Sequence, residues 1–216
     1  MLSINPFVAP FDSLPNTLPI FPLPDAIVMP GSELPLNIFE PRYLNMINDA
    51  LGSHRMIGMI QPDAEVEGGV YRTGCAGRIT QYRETGDGRI EMVLGGVCRF
   101  DVVEELATTR GYRLVQPDWS RYAGDYDDYS HRLVDYHERL IKMLAGYFDA
   151  KGFEADLEML KRLSVVRLID SLTMVLPFDG REKQMLLETV DVEQRLQNFI
   201  ALIDGEFTIP DSATRH

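Results

Sequence analysis

From Leu18 to about Pro117, apolar residues come in short extended runs broken by proline and glycine: LPIFPL, AIVMP, ELPLNIF and MIGMIQP. In RIEMVLGG, Ile90, Met92 and Leu94 alternate with Glu91 and Val93. The Thr85-Gly86-Asp87-Gly88 cluster before them is a hairpin signal, so Cys75 to Leu94 reads as a hairpin. VCRFDVVEEL and YRLVQP continue the extended pattern, which predicts a mostly antiparallel sheet or barrel with one helix. That helix is LNIFEPRYLNMINDAL, in which Tyr43, Met46, Ile47, Ala50 and Leu51 recur at helical spacing after Pro41.

Beyond the polar and aromatic stretch WSRYAGDYDDYS the period becomes helical. Leu133, His137, Leu140, Ile141, Leu144 and Phe148 share one face; a second helix is expected around Leu157 to Leu163. A third, carrying Val165, Leu168, Ile169, Leu172, Val175 and Leu176, is stopped by Pro177. Asp179 with Glu182 and Asp191 with Gln194 have capping-box spacing, so two short helices should meet near Val190. The fold class expected is α+β. An extended tail (1–16) leads into a β-rich domain (17–117) with one helix, then a connector (118–128), an α-helical bundle (129–205) and a frayed end (206–216).

The 216 residues carry a formal charge of −12. Up to Pro117 there are 9 Arg, no Lys and 14 acids, leaving 12 basic and 19 acidic residues after it, so the halves stand at −5 and −7. With no basic stripe in either half, neither nucleic acid nor an anionic membrane is expected as a partner. No run approaches the roughly 20 apolar residues that span a bilayer. The opening residues, without Lys or Arg and broken by prolines, lack the build of a signal peptide, which points to the cytoplasm. Cys75 and Cys98 are the only cysteines and read as reduced, strand-borne thiols.

A search for catalytic chemistry finds none. No Gly is followed by Lys, so no nucleotide-binding loop is present, and the Gly-Gly pairs at 68–69 and 95–96 do not fit a dinucleotide fingerprint. His131 and His137, six apart, fall on different helix faces: one packs and one faces solvent, with no metal site expected. Asp125, Asp127 and Asp128 lack the central Gly and closing Glu of a calcium loop and read as a solvated linker. Ser164 reads as a helix cap. Glu40 and Arg42 form one compact polar group, but Pro41 suits a first helical turn and Glu40 suits a helix N-terminus, so the group reads as structural. Glu40 as an acid or base would need a partner, and His54 lies beyond the helix. No catalytic residue, metal or cofactor is expected.

Three ordered stretches resemble the substrate-recognition N-terminal domain of Lon-type ATP-dependent proteases, especially small stand-alone bacterial proteins made only of that domain. They are LPIFPLPDAIVMPGSELPLNIFEPRY, TGCAGRITQY with the Asp87-Gly88-Arg89, Leu94-Gly95 and Arg99 that follow, and REKQMLLETVDVEQRL. The resemblance implies a PUA-like pseudo-barrel followed by a helical bundle. It brings no enzyme activity, since in the full proteases the ATPase and the Ser-Lys peptidase lie in later domains. It implies a non-catalytic module that binds unfolded or exposed apolar polypeptide segments, with a homo-oligomer compatible. Candidate binding residues are Met29, Phe39, Glu40, Arg42 and Tyr43, together with Trp119 and Tyr122, whose aromatic rings favour interdomain packing over ligand contact; a groove between barrel and bundle is a further place for a ligand. The alternative is a small-molecule or nucleobase binder on a PUA-like barrel, by fold analogy. A polar pocket in the barrel would favour it, whereas an exposed apolar groove would favour peptide binding.

Overall fold

Strand β1 (Leu18–Pro22) opens the folded chain, and strand β2 (Glu33–Ile38) leads into helix α1 (Pro41–Leu51). Strands β3 (Met56–Ile60), β4 (Thr73–Glu84), β5 (Ile90–Leu106) and β6 (Arg113–Asp118) follow, and a 3-10 segment, Ser120–Tyr126, ends the first part. The computed structural model describes residues 10–127, 129 and 131–205. The expected frayed end (206–216) and the first nine residues of the expected tail lie outside them. The chain divides into two compact units, Met1–Asp127 and Asp128–His216.

The sheet order is β2-β5-β4-β3-β1-β6, and β6 pairs back onto β5, which closes β1, β3, β4, β5 and β6 into a barrel. The long β5 makes this possible. Its first part (Ile90–Gly95) lies between β2 and β4, and its later part (Asp101–Leu106) pairs with β6. All pairings are antiparallel except β1 with β3, which is parallel because α1 lies in the crossover between them. The expected hairpin is the β4/β5 pair, with Gly88 at φ 81 in its turn.

Leu18, Ile20, Ala76, Cys98, Phe100, Val115 and Tyr122 fill the barrel core. The residues expected as tail and connector belong to this unit. Leu14 is buried in that core, and the Trp119 indole N–H donates to the Pro15 carbonyl at 3.2 Å. Asp125, read from sequence as part of a solvated linker, is instead buried against Arg99. The Arg99 backbone N–H donates to it at 2.8 Å and the guanidinium reaches it at 2.6 Å, with side chains 5% and 3% exposed. Acidic sequence context looks solvated until a strand supplies a buried guanidinium and an N–H.

The second unit comprises α2 (His137–Lys151), a single turn α3 (Leu157–Leu160), α4 (Val165–Val175), α5 (Gly180–Glu188) and α6 (Val192–Ile203). Asp179 and Glu182 form the full capping box, while Asp191 and Ser164 each accept from the backbone N–H three residues on. Leu140, Leu144, Phe148, Leu168, Leu172, Leu186, Leu196 and Phe199 build its core. A buried ion pair, Arg195 to Asp170 at 3.2 Å, ties α6 to α4. His137 meets the Leu163 carbonyl at 2.9 Å and His131 is exposed, but His131 stands in a turn ahead of α2, so the two do not share the helix that the six-residue spacing assumed. Val175, placed by periodicity on the packed stripe, is instead 74% exposed, because α4 ends there and Leu176 turns in its place.

Both thiols are buried. Burial, then the nearby Asp125 carboxylate, pushes the Cys98 thiol up from 9.0 to about 12; burial does the same to the Tyr126 phenol, from 10.0 to about 12. Both groups bind their protons more tightly when folded. Their contribution to stability is therefore complete below pH 9 and is lost as pH rises toward 12. Urea midpoints should fall between pH 9 and 11, with a shallower fall in Cys98→Ala, and iodoacetamide at pH 8 should label Cys98 only after unfolding.

Candidate functional site

Where β5 runs beyond the closed barrel, β2, β5 and β4 form a three-stranded extension whose outer strand, β2, is an open edge. Leu36, Met92 and Tyr82 stand directly opposite one another across it, and so do Pro35, Val93 and Gln81. These six, with Asn37, Glu91 and Arg83, line a surface groove of about 570 Å³. Leu36 and Met92 share the parity of Ile38, Ile90 and Leu94; Met92 is buried with them and Leu36 is half-buried. Tyr82 shares that parity yet remains 51% exposed, because the strands it sits on have outrun the rest of the barrel.

Phe39 follows β2 directly and is 61% exposed, with the Arg89 guanidinium 5.7 Å from its ring centroid. Arg89 is itself paired with Asp87 at 2.9 Å in the hairpin turn. Arg83 pairs across the strands with Glu91. Pro35 has no N–H to donate, and such a residue sits without loss on an edge strand and deters uncontrolled strand pairing there. The groove therefore offers apolar side chains under an open but partly blunted edge, bordered by charges that are already paired.

Phe39 is outside the residues that line the groove, one position past the end of β2, and is the one predicted aromatic that is left exposed. Glu40 and Arg42 lie beside it in sequence. Glu40 is the N-cap residue of α1, and its backbone carbonyl accepts from the Tyr43 and Leu44 N–H groups, both at 2.9 Å. Its carboxylate makes no cap and instead accepts from the Arg42 guanidinium at 2.9 Å. Arg42 also lies 4.5 Å over the Tyr43 ring, and Tyr43 is buried on Phe21, 4.3 Å between ring centroids. Met29 is fully buried, and so is Tyr122, over which Arg99 stacks at 4.5 Å. Trp119 packs edge-on against Phe100 at 5.7 Å. Tyr122 belongs to the barrel core, and Trp119 packs against that core.

Tyr82, Leu36 and Met92 escaped the sequence reading. TQYRE does end an alternating run, but the exposure of Tyr82 depends on which strands stop short of it, and pattern alone does not carry that. Among the described residues, no group of three or more His, Cys, Asp or Glu is placed to hold a metal ion, and no helix is long and apolar enough to cross a membrane.

The description "ATP-dependent protease La (LON) substrate-binding domain" matches residues 17–205. The Lon protease of Dictyoglomus thermophilum is 24% identical over 94% of this chain and 26% of its own length. Lon protease 1 of Hydrogenovibrio crunogenus is 27% identical over 91% of this chain and 24% of its own length. The chain thus spans about a quarter of the length of these curated relatives. Among solved structures, a Lon N-terminal domain protein from Xanthomonas campestris superposes with a TM-score of 0.65 at 24% identity, covering 86% of this chain and 97% of that one. The N-terminal domain of a Mycobacterium avium complex Lon protease gives 0.64 at 21%, covering 88% and 100%. The match across residues 17–205 shows that the chain belongs to the family of Lon substrate-binding domains.

Proposed function

We propose that this chain binds exposed apolar segments of unfolded polypeptides without catalysing their cleavage, and that it does so on the β2-β5-β4 groove. The observation that carries this reading is the exposure of Tyr82 and Phe39 beside an open strand edge, in a chain of substrate-binding family. An unfolded segment presents both apolar side chains and unpaired backbone groups, and a groove beside a free edge answers both needs. The sequence supplies no nucleotide-binding loop, in keeping with recognition separate from any ATP-driven or peptidase step. The small-ligand reading gains no support from the barrel interior, which Leu18, Ile20, Phe100 and Tyr122 fill.

Fluorescence anisotropy with labelled, reduced and carboxymethylated lactalbumin tests this. The double variant Phe39→Ser, Tyr82→Ser should weaken binding about tenfold or more, as removing two exposed aromatic anchors from the sheet extension and its end implies. Because both side chains are largely exposed, the thermal melt should stay unchanged. Unchanged affinity in the variant would remove the groove from the account; absence of binding by the wild type would remove the function.

A further inference from the structure

In the second unit, α2 ends at Lys151 with Gly152 in the left-handed region (φ 69), and α4 ends at Val175 just before Pro177. The intervening α3 is a single turn and does not fill the space between those two ends. A groove of about 600 Å³ results, floored by Phe148, Leu160, Leu172 and Leu176. Three of its apolar residues are left in solvent: Phe153 at 42%, Met159 at 60% and Val175 at 74% exposed. Large apolar side chains so exposed at one hollow mark an interaction surface.

The two charged residues that line this groove, Glu154 and Asp156, are both acidic. The C-terminal ends of α2 and α4 both contribute to its lining, and a helix C-terminus is the negative end of its dipole. Glu154 and Asp156 add carboxylates to the lining, and the adjoining segment 148–160 carries four acids (Asp149, Glu154, Asp156, Glu158) against the single Lys151. Glu158 is taken up by Lys161 at 2.6 Å, and Asp156 caps α3 through the Met159 N–H, but Glu154 is exposed on the rim. No strand lines the groove, so recognition there rests on side-chain anchors and not on strand addition.

We propose that this groove docks an amphipathic helix of another polypeptide, one whose apolar stripe is flanked by lysine or arginine. The apolar stripe enters between Phe153, Met159 and Val175, and the cationic flanks meet Glu154 and the two helix ends. The site is independent of the sheet groove and stands or falls separately from it.

The test uses the intact chain and two fluorescein-labelled helical peptides of about 18 residues with the same leucine stripe. One has lysine flanks and the other glutamate flanks. The lysine peptide should bind about tenfold tighter or more, and the charge-neutral double variant Met159→Ser, Val175→Ser should weaken it by a similar factor. Glu154→Lys should weaken it more than Glu104→Lys, which reverses an exposed acid of the barrel unit. Phe39→Ser, Tyr82→Ser should leave it unchanged. Equal affinity for both peptides overturns the proposal. So does full affinity in Met159→Ser, Val175→Ser, and so does equal weakening by the two lysine variants, since that outcome reports only attraction to an acidic protein.

Discussion

Replacing Asp125 by alanine should lower the unfolding free energy of the barrel unit by about 3–5 kcal/mol, because it removes one partner of a buried ion pair. The Arg99 side chain is 3% exposed, and its guanidinium and backbone N–H both donate to the Asp125 carboxylate. The partner sits in the 3-10 segment Ser120–Tyr126, so the same loss should release Tyr122 from the core and Trp119 from Phe100. Trp119 is the only tryptophan, which makes its fluorescence a local reporter of the transition. Asp125→Asn keeps an acceptor for the backbone N–H and should cost less. The Glu40–Arg42 pair is the contrast: both side chains are about half exposed, so Arg42→Ala should change stability by about 0.5 kcal/mol or less. A urea titration of the three variants reads all of these differences. Asp125→Ala as stable as the wild type would mean that the latch holds nothing.

Gly96→Ala should cost about 3 kcal/mol or more, and it should also weaken polypeptide binding. A Cβ at position 96 would stand 2.1 Å from the Met29 carbonyl oxygen, and backbone at that distance cannot yield as a flexible side chain would. The loop holding Met29 is fixed to this glycine by two hydrogen bonds of 2.8 Å. The Gly31 N–H donates to the Gly96 carbonyl, and the Gly96 N–H donates to the Ser32 carbonyl. That loop delivers the chain into β2, so displacing it loosens the edge that carries Leu36 and precedes Phe39. Gly86→Ala, in the hairpin turn where a Cβ would meet no heavy atom within 4 Å, is the matched control and should change stability by about 0.5 kcal/mol or less. Thermal melts and the lactalbumin titration, run on both variants, separate the two expectations.

The helical unit was largely legible because its signals are local. Asp179, Asp191 and Ser164 cap from three residues away, and the stripe from Leu140 to Phe148 faces inward as its period requires. The hairpin of β4 and β5 was legible for the same reason. The extended pattern left sheet and barrel both open, since closure depends on β6 returning to the far end of a 17-residue strand, a pairing that periodicity does not encode. The same non-local fact hides the candidate site: Tyr82 is exposed because other strands end, and Asp125 is buried because Arg99 lies 26 residues away in sequence. Among the candidate binding residues, Phe39 is exposed just past β2, while Met29, Tyr43 and Tyr122 are buried for packing reasons that their apolar character equally satisfies.

Hydrogen–deuterium exchange, with and without saturating carboxymethylated lactalbumin, tests the central claim most directly. If the chain takes unfolded polypeptide into the β2-β5-β4 groove, amides of β2 and of residues 81–83 should exchange more slowly in the complex, while those of β6 on the closed side of the barrel stay as they were. Binding with no added protection in β2 or at residues 81–83 would contradict the account.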